Sequence, residues 1–415
     1  MATIEVDKRA IALERAKELK ERIVPYLEAR EKVESGLDLS AQFEQRKEDL
    51  KRFFQATEEE WNDWHWQMAN RISDVETLEQ IINLSPDEKK NVAEVGSQYR
   101  WAISPYFASL MSEDDPNCPI RMRAVPTIQE LLDVAGLADP MAEEYTSPAA
   151  LITRRYPDRL IINITNQCGM FCRHCQRRRN IGELDRPASD ADIQAAIDYV
   201  RENPEIRDVL VTGGDPLTLE DDKLDWLLGE LGSIPHLELK RLGSATPVTM
   251  PQRITPELCA IFAKHMPLYL NTHANHPKEI TATTQEVCFR MARAGVALGN
   301  QAVLLKGINN DPFIMKKLCH DLLRVLIRPY YIFHAKTVVG TTHFITTVQD
   351  GLEIMENLRG YTSGLAIPWY IINAPEGHGK TPIIPQYLVS MGKDYVMIRN
   401  WEGRMYKYPN GFPEP

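Results

Sequence analysis

Apolar positions recur at helical intervals through roughly the first third of the chain, and then the period changes. Residues 1–60 are rich in Glu, Lys, Arg and Ala, carry Leu or Ile at helical spacing and contain Gly36 as their lone glycine. This pattern predicts long helices with a solvated charged face. Helical spacing continues over 61–141, anchored by Trp61, Trp64, Trp66, Trp101 and Tyr106 and interrupted near Pro105 and Pro116. Asp139-Pro140 and the stretch 146–149 mark a boundary. Beyond it, short β-rich runs at 160–165, 208–212, 237–242, 268–272, 295–305, 328–333 and 367–372 alternate with helical segments. One such segment, 190–200, follows Ser189 as a predicted N-cap. Repeated strand–helix units predict an α/β fold with a parallel sheet, open or rolled toward a barrel, and a site at the C-terminal strand ends. Four regions follow: a helical arm 1–60, a helical region 61–150, a strand–helix core 151–366 and a short C-terminal extension 367–415.

Composition narrows the class. With 415 residues, 43% hydrophobic and 26% charged, the chain reads as an ordinary globular enzyme. A formal net charge of −10 argues against nucleic acid as partner. The opening MATIEVDKRA has no apolar core of the kind a secretion signal needs, and no run of about 18 apolar residues predicts a membrane span. These features predict a cytoplasmic protein. Of seven cysteines, Cys118, Cys259, Cys288 and Cys319 are scattered among apolar or helical residues and read as small buried hydrophobes. The odd total argues against a disulfide framework.

The remaining three, Cys168, Cys172 and Cys175, leave the first strand of the core in a Cys-x3-Cys-x2-Cys loop. Such spacing can wrap a compact inorganic cluster, giving three thiolates to four irons and leaving one iron open. Arg173, Arg177, Arg178 and Arg179 would favour thiolate over thiol. Zinc is the alternative, but a structural zinc site takes four protein ligands, and the only nearby fourth, His174, sits inside the loop. After the second strand comes Thr212-Gly213-Gly214-Asp215-Pro216, which alone would read as a turn. Lys380, flanked by glycines in Gly377-His378-Gly379-Lys380-Thr381-Pro382, follows the last apolar strand and can form a Schiff base with an aldehyde.

The cysteine loop after a first strand resembles the radical S-adenosylmethionine superfamily. In the same order as in the lysine 2,3-aminomutase family, the chain carries WNDWHWQMANRI (61–72), RRYPDR (154–159), CRHCQRRR (172–179), PQRITPEL (251–258), LNTHANHP (270–277), GNQAVLLKGIN (299–309), RPYYIF (328–333) and HGKTP (378–382). This resemblance spans about residues 61–401. It implies a partial (β/α)6 barrel and a 4Fe–4S cluster on Cys168, Cys172 and Cys175, whose open iron chelates S-adenosylmethionine. It places Gly213, Gly214, Asp215, His273 and Gln301 against S-adenosylmethionine. Lys380 is implied as the pyridoxal phosphate lysine, Arg155, Tyr156 and Arg159 as contacts of that cofactor, and Arg177 as the partner of the substrate α-carboxylate. A one-electron donor such as flavodoxin or ferredoxin and a homo-oligomeric state are further expectations.

Two departures bear on substrate. Lysine-specific members hold the distant ammonium with two aspartates; the matching positions here are Lys336 and Asn373. An ammonium facing Lys336 would lose on the order of 3–5 kcal/mol, whereas a carboxylate would gain charge-assisted bonds of roughly 1.5–3 kcal/mol each. The pattern resembles the glutamate branch of the family, and interconversion of L-glutamate and β-glutamate by 1,2-amino migration is expected. The alternatives are another 2,3-aminomutase, lysine-specific above all, or a non-catalytic iron–sulfur protein. The cysteine-rich tail that binds zinc in lysine-specific members has no counterpart after Cys319, and the matching loop residue is Asp311, so no zinc site is expected.

Overall fold

Alternating burial along successive strands organises the molecule, seen here in a computed structural model that describes residues 7–411. Among them, nine strands form one sheet in chain order: β1 (Ile152–Thr153), β2 (Arg159–Asn163), β3 (Asp208–Thr212), β4 (Leu239–Gly243), β5 (Leu268–Thr272), β6 (Ala297–Leu304), β7 (Arg328–His334), β8 (Trp369–Asn373) and β9 (Lys380–Pro382). β2 to β8 run parallel, while β1 and β9 close the two ends as antiparallel edges. The sheet curls without closing, as the expected partial barrel does, with six strand–helix units leading to β8.

The two-residue period of a strand explains this layering. Leu160 and Ile162, Val209 and Val211, Leu242, Leu268 and Leu270 point outward into the main core. Their neighbours Arg159, Ile161 and Asn163, Leu210 and Thr212, Arg241 and Gly243, and Asn271 face an inner cavity. The outer helices meet the sheet through apolar stripes. In Asp190–Glu202 the buried residues are Ile193, Ala196, Ile197 and Val200, and Ser189 Oγ accepts from Asp192 N at 3.1 Å as the expected cap.

A second core fills the helical region before the sheet. Trp61, Trp101, Tyr106 and Phe107 pack there with Met170 of the cysteine loop, and Cys172 lies against it. That layer therefore forms the back wall of the loop. The N-terminal arm begins as helices Lys8–Arg30 and Ser40–Phe54, the first with only Tyr26 buried. Its Arg15 and Arg22 pair with Glu402. The first six residues of that arm and the last four of segment 367–415 lie outside the described residues.

Three differences from the expected elements stand out. The boundary placed after 366 falls just before β8, a full member of the main sheet. Lys380 lies on an edge strand. Residues Leu388–Met391 (β10), Tyr395–Arg399 (β11) and Met405–Pro409 (β12) form a separate antiparallel sheet where only an extension was expected. Among the described residues no helix is long and apolar enough to cross a membrane.

Buried charge fixes the cysteine loop to the helical layer. Glu130, 1% exposed, accepts from Arg173 Nε at 3.0 Å and Nη2 at 2.6 Å, and also from Arg178 Nη2. Replacing Glu130 by Ala leaves two buried guanidiniums without their carboxylate and is expected to cost about 3–5 kcal/mol. Urea unfolding of Glu130→Ala checks this; Arg201→Ala, at an exposed helical pair, is expected to change stability by less than about 1 kcal/mol.

Candidate functional site

The C-terminal strand ends open into a cavity of about 360 Å³. The three cysteines, Gly213, Gly214, Asp215, His273, Gln301, Arg155, Tyr156, Arg159, Arg177, Lys336, Asn373 and Lys380 all border it. Asp311, where no metal was expected, lies elsewhere and caps the helix Pro312–Arg324 by accepting from Phe313 N at 2.7 Å.

The cysteine loop forms one wall. All three thiols are free and partly buried. Among the described residues no three His, Cys, Asp or Glu side chains converge on a single ion point. A cubane cluster instead takes each thiolate on a different iron, so a spread triplet facing one cavity fits it. Burial pushes the Cys168 and Cys175 thiols above their ordinary range. The expected help from the arginine series is largely committed elsewhere, because Arg173 and Arg178 serve Glu130 and Arg179 pairs with Asp139 and Glu143. The cation that meets a thiol is Arg123, whose Nη2 donates to Cys172 Sγ at 3.6 Å while Nη1 pairs with fully buried Glu279. Arg71 Nη1 donates to the Cys168 carbonyl at 2.7 Å.

The glycine pair after β3 lies directly under this loop. A Cβ on Gly213 would come within 2.3 Å of the Thr165 carbonyl oxygen, and one on Gly214 within 2.2 Å of that of Gln167. Only glycine permits that approach. Asp215 has little left for a ligand: its oxygens accept from Ser244 Oγ at 2.7 Å, Ala245 N at 2.8 Å, Thr246 N at 3.0 Å and Leu217 N at 3.1 Å. Its carboxylate thus ties β3 to the turn after β4. His273 and Gln301 meet through His273 Nδ1 and the Gln301 carbonyl at 3.1 Å, and burial lowers His273 to about 4, so its ring is neutral.

Much of the remaining lining is cationic. Lys380 and Asn373 are direct cross-strand partners of β9 and β8. The Lys380 amide donates to Tyr156 Oη at 2.8 Å, and its side-chain nitrogen sits 5.5 Å from the Tyr156 ring centre and 5.8 Å from that of Phe333. Burial, then the charges of Arg241, Arg159, Arg155 and Arg177, lower Lys380 to about 8, which raises the share of neutral, nucleophilic amine above that of an ordinary lysine. Arg159 stacks over Tyr156 at 4.0 Å. Arg155 and Arg177 flank buried Glu143, at 3.2 Å and 3.7 Å, yet Arg155 Nη2 and Arg177 Nε make no hydrogen bond. Two buried, underused guanidinium edges are suited to phosphate and carboxylate.

Lys336, just beyond β7, reaches the Phe333 ring at 5.3 Å and donates to Gln176 Oε1. Burial, then Arg177, Lys380 and Arg155, lower it to about 7; Glu143 opposes them. Asn373 Nδ2 is buried without a partner. Charge around the cavity is therefore lopsided. Its lining holds Arg155, Arg159, Arg177, Arg241, Lys336 and Lys380 against Asp208 and Asp215. Asp208 pairs with Arg241 at 2.7 Å, and Asp215 is occupied as described.

Glu143, Gln176 and Arg123 escaped sequence reasoning. Gln176 stood in plain view between Cys175 and Arg177; Glu143 and Arg123 gave no local signal, since their partners are remote in sequence.

Known proteins similar to this chain place it in a family. Residues 162–315 match the radical SAM superfamily and residues 355–414 match a lysine 2,3-aminomutase family model. The chain is 58% identical over 397 residues to glutamate 2,3-aminomutase of Clostridioides difficile, covering 96% of this chain and 94% of that protein. It is 48% identical over 360 residues to L-lysine 2,3-aminomutase of Fusobacterium nucleatum (86% and 85% covered) and 46% identical over 357 residues to that of Clostridium subterminale (86% of each). The chain belongs to the lysine 2,3-aminomutase family of radical S-adenosylmethionine isomerases, and with that membership come a 4Fe–4S cluster, S-adenosylmethionine and pyridoxal phosphate.

Proposed function

We propose that the substrate is L-glutamate, converted to β-glutamate by moving its amino group from C2 to C3. The cationic end of the cavity carries this reading: Lys336 brings a positive charge there and Asn373 an unpartnered amide N–H. An ammonium-tipped substrate would meet another cation, whereas a carboxylate would find a charged and an amide partner.

When bound, the cofactors supply a radical that takes a hydrogen atom and an aldehyde that holds the amine. The chain's own residues then act by placement. Cys168, Cys172 and Cys175 would hold the cluster, with Gly213, Gly214, His273 and Gln301 bordering the space for S-adenosylmethionine. Arg155, Tyr156 and Arg159 would hold the pyridoxal phosphate, and Lys380 would be exchanged for the substrate amine. Arg177 takes the α-carboxylate, and Lys336 and Asn373 take the γ-carboxylate. Fixing both carboxylates orients the C2–C3 bond, and the curled sheet keeps water from the reacting atoms. Reduction of the cluster calls for a one-electron donor of the flavodoxin or ferredoxin kind, and the working form is a homo-oligomer in the cytoplasm.

Anaerobic turnover of glutamate and lysine by the reconstituted protein tests the substrate: kcat/KM is expected to favour glutamate, and a preference for lysine would overturn the reading. The same assay has a pH signature. Lys336 is charged below about 7 and neutral above it, so KM for glutamate is expected to rise above that pH, by up to about tenfold per unit. Burial sets most of this midpoint, and Arg177, Lys380, Arg155 and Glu143, which face the ammonium, adjust it. Lys336→Arg, which stays charged throughout, is expected to flatten the profile.

A further inference from the structure

Among the described residues no carboxylate pairs with the Lys336 ammonium; its partner is the amide oxygen of Gln176. We propose that Gln176 is a specificity-determining residue that both positions Lys336 and itself binds the far carboxylate of the substrate. This inference rests on the glutamate reading above.

Chemistry fixes which way the amide points. An ammonium has three donors and no acceptor, so Gln176 must turn Oε1 toward Lys336. Its Nε2 then lies on the other side and donates to no protein group among the described residues, although Gln176 lines the cavity. Asn373 Nδ2, buried without a partner, borders the same space. A carboxylate entering there can accept from Lys336 Nζ, Asn373 Nδ2 and Gln176 Nε2. An ammonium in the same place meets the like charge of Lys336.

Neutrality matters as much as shape. A carboxylate at this position would pair with Lys336 and cancel the charge meant for substrate, while an apolar side chain would leave the ammonium surrounded by Arg177, Lys380 and Arg155. An amide holds the ammonium in place and leaves its charge available. Chain position adds a constraint: Gln176 sits between Cys175 and Arg177, so one turn of backbone sets the cluster, the α-carboxylate partner and the far-carboxylate partner in fixed relation.

The test compares wild-type holoenzyme with Gln176→Glu and Gln176→Met, reading glutamate affinity from cofactor absorbance and KM apart from kcat. Loss of a hydrogen bond to a charged group predicts a KM and Kd for glutamate about 10- to 100-fold higher in Gln176→Met. Gln176→Glu, nearly the same shape, is expected to lose at least as much for glutamate while its lysine affinity improves. Iron content and pyridoxal phosphate loading unchanged from wild type show that the loop is intact; if Gln176→Glu loses iron, Gln176→Met decides. Glutamate affinity unchanged from wild type in both variants overturns the role of Gln176 alone. Failure of the wild type to bind glutamate overturns the substrate reading beneath it.

Discussion

Lys336→Asp combined with Asn373→Asp is expected to lower kcat/KM for glutamate by about 10³-fold and to raise that for lysine above it. The two positions border one cavity, and Asn373 lies directly across the β8–β9 pair from Lys380. In the wild type their donors face a space ringed by Arg177, Arg155 and Lys380. Two carboxylates there repel the γ-carboxylate of glutamate and supply the acceptors that a lysine ammonium lacks. The single substitutions are expected to be non-additive, because the groups touch one ligand. Asn373→Asp alone lets the new carboxylate pair with Lys336, so glutamate binding falls while lysine gains little. Lys336→Asp alone removes the repelling cation and is expected to make most of the shift. Steady-state kinetics with both amino acids measure the whole set.

Replacing any one of Cys168, Cys172 and Cys175 by Ser is expected to abolish turnover and to strip most of the iron, while glutamate still perturbs the pyridoxal phosphate absorbance. The separation arises because the thiols lie on the loop after β2 and Lys380 on the edge strand β9. The loop itself should survive, being held by the Arg173–Glu130 and Arg178–Glu130 pairs and by Met170 in the helical core rather than by the sulfurs. Cys259→Ala, Cys288→Ala and Cys319→Ala provide the contrast: those side chains are packed in the main core, so small losses of stability with iron retained are expected. Iron analysis and absorbance titration under anaerobic conditions read both arms.

Strands and cluster motifs carry local signals, and these made much of the fold and site legible in the order of the residues. The β-rich runs at 208–212 and 268–272 coincide with β3 and β5, and the Ser189 cap is where the helical period placed it. What escaped has no local signature. β9 is only three residues long, Lys380–Pro382, with no apolar core residue among them, so neither alternation nor an apolar run marks it; it exists because β8 offers an edge to pair with. The arginines after Cys172 looked like a charge cloud for the thiols, yet their partner is set by Glu130, more than forty residues upstream. Arg123, the guanidinium that does touch a thiol, lies in a short helix of the other layer. Asp215 belongs to a recognisable motif, but only the fold shows that its oxygens are spent on Ser244, Ala245 and Thr246. Gln176 was visible as a letter; its meaning depended on knowing where Lys336 points.

Most direct is the fate of the nitrogen itself. Glutamate carrying ¹³C at C2 and C3 and ¹⁵N in the amino group, incubated anaerobically with the reconstituted protein and a reductant, is expected to show ¹³C–¹⁵N coupling passing from C2 to C3. Coupling that stays at C2 with glutamate, while correspondingly labelled lysine shows the transfer under the same conditions, would contradict the account.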